Sequence, residues 1–536
     1  MTPRIHNRHR PQTLRRSEPS PSTMKHRSCF KRNSEFALFI AVLTICYGLL
    51  FVIWEFADMP FAGFSDFMTI AFQWSIVTLA SFPLFLLLSL NKYLFAISFP
   101  IIALLSGVFA YFRQALHITL TPMLIDLVLV NDIGLGIDLI SWKLLLFVAT
   151  ALLYASAAVY WRWCRARLDK WWIWLVASLC LLYAVHHTGR IVRPVSNRMP
   201  ASFYYVTETY IRQRAKQTDR TDFTETVHRE TDTLTIVVVL GESLRADHLQ
   251  LNGYARPTTP YLAAKTTVHS LPHLYSKEVF THTSLPVLLT RADSMNDLRA
   301  RTEKSFITLF RQAGFRTVWL ANQEPVDTYS DFMHEADTLI YANGGKNVYM
   351  FDKWLDDALL TSFQYELEQK NPKKLLVLHT IGSHWWYNSH FEEAVFSPVL
   401  GSRIVSANSQ DAFVNSYDNT IRHTDRFLHQ LIEELQDKTA ILIYVSDHGE
   451  SLGENGKYLH AEDNEPLHYP AAFVWYSPQY ARTFPDKTEA LKQHADQPLN
   501  TGFLFHSALD AGTLHTVYLD TTRSIFRQNP VENRLQ

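Results

Sequence analysis

Cysteine is scarce in this chain of 536 residues, and it is confined to one part of it. The four cysteines are Cys29, Cys46, Cys164 and Cys180, so residues 189–536 contain none. This longer portion can therefore form no internal disulfide, and an oxidising compartment could not cross-link it wrongly. The chain is also longer than one hydrophobic core usually organises, so at least two structural units are expected.

Net charge is low as well. The formal net charge of −1 argues against a general nucleic-acid binder, and no nucleic-acid partner is expected. The average hides one asymmetry, because residues 1–34 carry nine Lys or Arg and one acidic residue. Beyond this tail the sequence has no long-period repeat and no extended low-complexity segment.

Uncharged apolar runs follow the basic tail. Each approaches the roughly 20 residues that a helix needs to cross the hydrocarbon core of a membrane. The first run is long and lacks a small-residue cleavage pattern, which is not typical of a cleavable signal. We therefore predict a multi-pass membrane domain with five transmembrane helices: Phe36–Trp54, Phe67–Leu90, Tyr93–Phe112, Leu144–Trp161 and Trp171–His187.

Basic residues between these runs predict the orientation. The tail and the link 161–170 are rich in Lys and Arg, whereas the loop 55–66 has neither, so the first two are expected in the cytoplasm. Five crossings then place everything after about residue 188 on the opposite side. The segment 113–143 is apolar, but its acidic residues would make a further span costly, so it is interpreted as an outward loop with interfacial helices.

The rest of the chain divides into a linker and a second domain. The predicted units are a basic cytoplasmic tail (1–34), a transmembrane domain (35–188), a charged linker (189–231) and a soluble domain (232–536). Short apolar runs alternate with helical stretches in the last unit, which predicts an α/β sandwich with buried parallel strands. The predicted strands are 234–240, 316–322, 374–379, 440–446 and 471–476.

Polar residues follow several of these strands. Glu242 comes after the first strand, His379 and His384 come at and after the third, and Asp447 and His448 follow the fourth. Ligands of such sheets lie beyond the carboxyl ends of the strands. A mixture of carboxylate and imidazole suits zinc, whereas an all-oxygen set would favour magnesium or calcium. Asp447 and His448 are therefore predicted metal ligands.

Three motifs carry a resemblance to a known family: VVVLGESLRADHLQLNGYARPTTP (237–260), HTIGSH (379–384) and SDHGESLGENGKYLH (446–460). They resemble the phosphoethanolamine transferases of Gram-negative inner membranes, which belong to the alkaline phosphatase and sulfatase superfamily. The resemblance implies a sulfatase-like catalytic domain in the periplasm, attached to five spans in the bacterial inner membrane.

The resemblance also implies roles for residues. Glu242, Asp447 and His448 would bind Zn²⁺ together with a nucleophilic threonine. His384 and His460 would match a second histidine pair that holds the incoming phosphate or a second zinc ion. An alignment on Leu-Leu-Thr at 288–290 favours Thr281 as the nucleophile, with Thr283 as the alternative.

The implied reaction moves phosphoethanolamine from phosphatidylethanolamine to a lipopolysaccharide or lipooligosaccharide acceptor, either lipid A or the inner core. It would pass through a zinc-activated threonine and a covalent phosphothreonine. The segment 383–391 lacks the family's usual Gly-Pro after its histidine. The resemblance therefore does not determine which residues form the acceptor pocket. The acceptor's identity, the number of zinc ions and the oligomeric state are also open.

Other functions fit parts of the sequence. A phosphoglycerol transferase or a sulfatase of the same superfamily would keep the fold and the metal. A serine hydrolase could use Ser243, Asp447 and His460, although Arg245 stands where a nucleophile elbow needs glycine. A receptor without enzymatic activity could bind through aromatic residues such as Trp385 and Trp386.

Overall fold

A computed structural model describes residues 21–527 except 58, 60, 62, 117–118, 123–124, 126–140, 217–219, 226, 327, 347–351, 403–404 and 461–462. Most of the predicted basic tail and of the predicted interfacial segment, with Asp126, Asp132 and Asp138, lies outside the described residues. The helices are α1 (Pro21–Leu50), α2 (Phe64–Ser89), α3 (Lys92–Leu116), α4 (Trp142–Cys164), α5 (Trp171–His187), α6 (Gly189–Ser196), α7 (Ser202–Lys216), α8 (Pro260–Ala263), α9 (Thr281–Leu289), α10 (Arg299–Thr302), α11 (Phe306–Gln312), α12 (Ser330–Met333), α13 (Leu360–Glu368), α14 (Gln410–Leu435), α15 (Pro478–Thr483), α16 (Pro485–His494) and α17 (Phe503–Ala511).

Four of the described helices are long and apolar enough to cross a membrane: Arg32–Leu50 within α1, then α2, Lys92–Ala115 within α3, and α4. Helix α5 has 17 residues and is shorter than these four, but α5 and α6 together could form a fifth span that is bent by 87° between them. The bend follows from Thr188, whose backbone is extended (φ −93°, ψ 96°) and so interrupts the helical hydrogen bonds. With this bent pair counted as one span, the structure has the five predicted spans.

Close packing joins the long helices. Helices α3 and α4 approach at Gly107, where an added Cβ would lie 2.9 Å from Ala151 Cβ and 3.1 Å from the Phe147 carbonyl oxygen. Small residues at such contacts let membrane helices pack through their backbones. Within the bundle, the Tyr47 hydroxyl and the Ser106 hydroxyl form a buried hydrogen bond of 2.6 Å. Close packing of the helices and a few buried hydrogen bonds therefore stabilise the bundle.

The strands of the second domain are β1 (His228–Arg229), β2 (Leu234–Gly241), β3 (Val268–Ser270), β4 (Leu274–Tyr275), β5 (Arg316–Ala321), β6 (Thr338–Tyr341), β7 (Lys373–His379), β8 (Ala440–Ser446), β9 (Ser451–Leu452), β10 (Tyr458–Leu459), β11 (Ala472–Tyr476), β12 (Leu499–Asn500) and β13 (Leu514–His515). Seven of them form one sheet in the order β3-β11-β8-β2-β7-β5-β6. The three central strands, β8, β2 and β7, are buried along their whole length. Their runs of Val, Ile and Leu are what a sheet covered on both faces requires.

The strand at 471–476 was predicted to be parallel, and this is wrong. Strand β11 pairs antiparallel with both β8 and β3, whereas β8, β2, β7, β5 and β6 run parallel. The described part of the chain between β8 and β11 forms the β9–β10 hairpin and short turns, and it contains no helix long enough to carry the chain back for a parallel return. Composition identified a buried strand but could not give its direction.

The parallel register brings distant residues to one edge. Gly241 at the end of β2 pairs with Ser446 at the end of β8, and Leu240 pairs with His379 at the end of β7. The residues that follow these three strands therefore emerge side by side. A hydrogen bond of 2.6 Å from the Ser402 hydroxyl to Asp66 Oδ1 connects the start of α2 with this domain.

Candidate functional site

The central strand ends bring together three acidic and imidazole side chains. Glu242 follows β2, while Asp447 and His448 follow β8. One ligand atom from each residue lies within 4.8 Å of the others, and all three residues are buried. They are 205 and 206 positions apart in sequence, so the parallel pairing of β2 with β8 creates this cluster.

The orientation of these side chains fits a cation. His448 Nδ1 lies 2.7 Å from the Gly449 carbonyl oxygen, so Nδ1 donates and Nε2 is left with a lone pair. Nε2 lies 3.5 Å from Glu242 Oε1 and 3.5 Å from Asp447 Oδ2. Both Nε2 and Asp447 Oδ2 are buried without a hydrogen-bond partner among the described residues. Electron pairs that converge without a donor are costly unless a cation takes that place, and this donor set suits Zn²⁺.

A threonine hydroxyl lies against the cluster. Thr281 begins helix α9, and its Oγ1 donates a hydrogen bond of 2.9 Å to Glu242 Oε2. The hydroxyl of Thr283 instead donates to the Phe280 carbonyl oxygen at 3.1 Å. Of the two threonines considered from the sequence, only Thr281 is hydrogen-bonded to one of the three clustered residues in the described structure.

Neighbouring groups hold Glu242 in place. Gln323 Nε2 donates to Glu242 Oε2 at 2.9 Å and to the Thr380 carbonyl oxygen at 2.7 Å. The Ser243 hydroxyl donates to Glu242 Oε1 at 2.7 Å, and the Ser243 backbone N–H donates to Asp447 Oδ1 at 3.1 Å. Gln323 is not among the site residues predicted from the sequence. It stands just after β5, so the same strand-end reasoning that selected Glu242 could have found it.

Three further imidazoles extend in a row from His448 of the cluster. The ring centroid of His460 is 4.9 Å from that of His448 and 6.3 Å from that of His384. The ring centroid of His384 in turn lies 6.4 Å from that of His390, a buried residue that is not among the predicted site residues. Glu450 Oε2 lies 3.5 Å from His460 Nδ1. The predicted pair of His384 and His460 is thus adjacent to the carboxylates, while outside the three-residue cluster.

Comparison with known proteins places this domain. Residues 235–514 match the family described as Sulfatase, which is more than half of the chain. The chain belongs to this family. The match confirms the family resemblance found in the motifs and the predicted combination of apolar N-terminal helices with a sulfatase-like α/β domain.

A curated relative is the Kdo(2)-lipid A phosphoethanolamine 7''-transferase of Escherichia coli (strain K12). It is 32% identical over 290 residues, which are 51% of this chain and 50% of the relative. The chain spans about half the length of the curated relatives it matches. Sequence similarity to these relatives is therefore confined to part of each protein.

Two solved structures share the fold. The C-terminal periplasmic domain of EcEptC from Escherichia coli, in complex with Zn, is 25% identical with a TM-score of 0.51 and covers 56% of this chain and 89% of its own. Lipooligosaccharide phosphoethanolamine transferase A (EptA) from Neisseria meningitidis, an integral membrane protein, is 22% identical with a TM-score of 0.52. It covers 91% of this chain and 98% of its own, so the shared fold includes the membrane helices.

The two carboxyl groups of this sulfatase-family site have pKa values shifted in opposite directions. Burial and the negative charge of Glu242 raise the pKa of Asp447 to about 7. Burial also opposes ionisation of Glu242, but the imidazoles of His448, His384 and His460 hold the pKa of Glu242 below its ordinary value. Without a metal ion, the pair therefore keeps one proton up to near-neutral pH, and this proton resides on Asp447.

Burial also acts on the second histidine pair. Burial disfavours the charged form of His460, but the adjacent carboxylate of Glu450 more than offsets this and raises the pKa of His460 to about 9. The pKa of His384 is lowered, chiefly by burial. The two imidazoles therefore differ in charge near neutral pH, with His460 cationic and His384 neutral.

The serine hydrolase arrangement is not assembled in the described structure. The Ser243 hydroxyl donates to Glu242, and the imidazole of His460 faces Glu450. A serine nucleophile needs a hydrogen bond to its histidine base, which this geometry does not provide. His379 is also outside the cluster, since it is buried among aromatic side chains that include Trp319 and Tyr329.

The aromatic surface proposed for a receptor is largely internal. Trp386 is buried, and Trp385 stacks on Phe413 with ring centroids 5.5 Å apart. These rings fill the space beside His384 and pack against helix α14. Their large apolar area is used in the core, which explains why exposure could not be inferred from residue type.

Proposed function

We propose that this chain is a membrane-tethered, zinc-dependent phosphoethanolamine transferase. Its donor is phosphatidylethanolamine, and its acceptor is lipid A or the inner core of a lipopolysaccharide or lipooligosaccharide. Similarity to the Kdo(2)-lipid A phosphoethanolamine 7''-transferase supports the transferred group and the acceptor class. The zinc-bound domain of EcEptC supports the metal.

One observation carries the proposal: the Thr281 hydroxyl lies 2.9 Å from Glu242 Oε2, beside the unpartnered ligand atoms of Asp447 and His448. A threonine hydroxyl is a poor nucleophile at neutral pH, because almost none of it is ionised. A zinc ion bound by Glu242, Asp447 and His448 would supply Lewis acidity, which lowers the pKa of a hydroxyl in contact with it. In this proposal the activated group is the hydroxyl of Thr281.

The reaction then needs two displacements. Thr281 Oγ1 forms a bond to the phosphorus of phosphatidylethanolamine, and the bond from phosphorus to the diacylglycerol oxygen breaks. The Thr281 hydroxyl loses its proton as this bond forms, the diacylglycerol oxygen takes up one proton in exchange, and phosphoethanolamine remains on Thr281. A phosphate or hydroxyl oxygen of the acceptor next attacks the same phosphorus and releases the threonine. In this proposal His384 and His460 contact the phosphate oxygens during both steps, and their position beside the carboxylates supports this role.

The membrane helices suit such substrates. Donor and acceptor both remain in a bilayer, so tethering the catalytic domain raises their effective concentration at the site. We place the spans in the bacterial inner membrane, with residues 1–34 in the cytoplasm, 35–188 crossing the membrane, 189–231 as a linker and 232–536 in the periplasm. The lack of cysteine after Cys180 is compatible with an oxidising periplasm.

The test uses the purified full chain. Metal analysis should find zinc, and a chelator should abolish transfer. Incubation with phosphatidylethanolamine should add one phosphoethanolamine group to the peptide that contains Thr281. Thr281→Ala should lose this adduct, while the matched variant Thr283→Ala should keep it. Full transfer by a protein that lacks both hydroxyls would reject the assigned nucleophile.

A second measurement separates the donor classes. Phosphatidylethanolamine and phosphatidylglycerol, labelled differently in their head groups, should be offered together. Transfer of the ethanolamine label alone is expected, whereas transfer of the glycerol label would favour a phosphoglycerol transferase. Mass spectrometry of lipopolysaccharide from cells with and without the protein identifies the acceptor.

A further inference from the structure

A cavity of the second domain lies beside helix α9, the helix that begins with Thr281. Its volume is about 390 Å³, which is within the range of small-molecule sites. Val287 of α9 forms one wall, and the segments 275–278, 292–297 and 500–502 form the others. The lining residues that the structure describes include none of the three clustered acidic and imidazole residues. The cavity is therefore separate from the metal site but shares a helix with the threonine beside it.

An ion pair and close packing fix one side of the cavity. Arg523 Nη1 donates to Asp293 Oδ2 at 2.8 Å, and Asp293 Oδ1 accepts two backbone N–H groups of the following turn at 3.0 and 2.9 Å. Gly502 lines the same cavity, and an added Cβ at this position would overlap the Arg523 guanidinium. The walls formed by 292–297 and 500–502 are thus built around Arg523.

Several polar side chains of the lining have no protein partner within the described part of the chain. Thr501 is only 5% exposed, and its hydroxyl forms no hydrogen bond to another described residue. The side chains of Lys277, Glu278 and Asp297 likewise form no hydrogen bond or ion pair with described residues. A buried hydroxyl is costly unless something in the cavity pairs with it. These four groups are therefore available to a ligand.

The hydrogen-bonding types of these groups indicate what the ligand is. The Lys277 ammonium only donates hydrogen bonds, the carboxylates of Glu278 and Asp297 only accept them, and the Thr501 hydroxyl does both. Two carboxylates would repel a phosphate, and the lysine would repel an ammonium. Neutral hydroxyl groups both donate and accept, so they can pair with all four side chains. A ligand with several neighbouring hydroxyl groups, such as a sugar, fits this set.

An aromatic ring completes the lining. Tyr275 is 38% exposed, and its ring stacks on that of His468 with centroids 5.4 Å apart. The two ring nitrogens of His468 lie 2.7 Å from the Ser276 carbonyl oxygen and 2.7 Å from Asp463 Oδ1. Tyr275 is thereby held in place at the cavity. A tyrosine ring offers an apolar surface and a polar hydroxyl, which match the C–H face and the hydroxyl edge of a sugar ring.

We propose that this cavity binds a sugar ring of the acceptor, an inference that rests on the proposed transferase function. The sugar hydroxyls pair with the four unpartnered polar groups, and the ring lies against Tyr275. Three residues of chain lead from Glu278 to Thr281, so the Cα atoms of these two residues are at most about 11 Å apart. A sugar in the cavity can therefore belong to the same molecule as the oxygen that attacks the phosphorus on Thr281.

Direct binding is measured by isothermal titration calorimetry of the full chain in detergent. The two probes are the sugar backbone of lipid A, without acyl chains or phosphates, and the core oligosaccharide, and they are titrated separately. Binding of at least one probe is expected, and the comparison shows whether the sugar comes from lipid A or from the core. Each weakened hydrogen bond costs about threefold in affinity, so E278Q/D297N should bind about tenfold more weakly and T501V about threefold more weakly.

The matched control is E393Q/D437N. It removes two exposed carboxylates that do not line the cavity, so it changes the net charge by the same amount as E278Q/D297N. The control should bind the sugar as the unaltered chain does. The sugar site is overturned by failure of the unaltered chain to bind either probe, by unchanged affinity in both E278Q/D297N and T501V, or by equal weakening in the control.

Kinetic measurements separate this inference from the proposed function. The KM for the lipooligosaccharide acceptor should be about tenfold higher in E278Q/D297N than in the unaltered chain. Formation of the phosphoethanolamine adduct on Thr281 is measured in the absence of acceptor. An unaltered chain that forms no adduct would reject the proposed function, and the calorimetric titration would still decide the sugar site. Adduct formation together with an unchanged KM for the acceptor would overturn the sugar site alone.

Discussion

Zinc binding to the metal-free site is expected to displace a proton from Asp447. Burial and the charge of Glu242 raise the pKa of this carboxyl to about 7. At about pH 6 the carboxyl is ~90% protonated, and at about pH 8 it is ~10% protonated. A bound cation needs the ionised form, so this residue should release ~0.9 proton per zinc ion at the lower pH and ~0.1 at the higher pH.

The same shift sets the direction of the affinity change. Deprotonation of Asp447 favours metal binding, so the zinc affinity should rise about tenfold from about pH 6 to about pH 8, which is about 1.4 kcal/mol. In the metal-free protein the same pKa shift has the opposite effect on the stability of the fold, which falls as the pH rises. A carboxyl whose pKa is raised in the fold destabilises it increasingly as the pH rises toward 7, so stabilisation by zinc should grow over this interval.

Isothermal titration calorimetry measures the protons released. Zinc is added to the full chain in buffers with different enthalpies of protonation, and the slope of heat against buffer enthalpy gives the number of protons. Asp447→Asn should lose the pH-dependent part of this number. Asp425→Asn is the matched control, because burial also raises the pKa of Asp425, to about 6, while its carboxylate accepts backbone hydrogen bonds from Tyr261 and Leu262. Equal release at both pH values, or undiminished release from Asp447→Asn, would refute the reasoning.

Three further variants and one control variant test the site and the core. Gln323→Ala removes a hydrogen bond to Glu242 and should lower zinc affinity about 10–100-fold, measured by competition with a chelating dye; an unchanged affinity would contradict its role. Asp418→Ala removes the buried carboxylate that pairs with Arg256, so it should lower the free energy of unfolding by about 3–5 kcal/mol. Glu433→Ala removes one partner of an exposed ion pair and is the control, which should lower the free energy of unfolding by less than about 1 kcal/mol. Leu442→Ala in the buried strand β8 should lower the free energy of unfolding by about 2–5 kcal/mol. Denaturation of the full chain in detergent, followed by tryptophan fluorescence, measures the free energies of unfolding of these variants.

Several features could be predicted from local patterns alone. A membrane span depends on the composition of one continuous segment, so the apolar runs located the long helices. The buried strands were found because covered strands are continuous runs of branched apolar residues. Glu242, Asp447 and His448 could be grouped before the structure was known, because parallel strands end at the same edge of a sheet.

Other features depended on contacts between distant segments. The direction of β11 follows from the path of the chain through the β9–β10 hairpin, and no property of its own residues determines it. The contact of Gln323 with Glu242 requires β5 to lie beside β7, with β7 beside β2. Which of Thr281 and Thr283 contacts the carboxylate depends on how helix α9 begins against the site.

The sequence by itself determined the kinds of segment present and the chemical character of the site, because apolar runs and strand-end carboxylates and imidazoles are local properties. Only the tertiary structure decided which side chains touch, since the positions of atoms hundreds of residues apart are set by the packing of the whole domain.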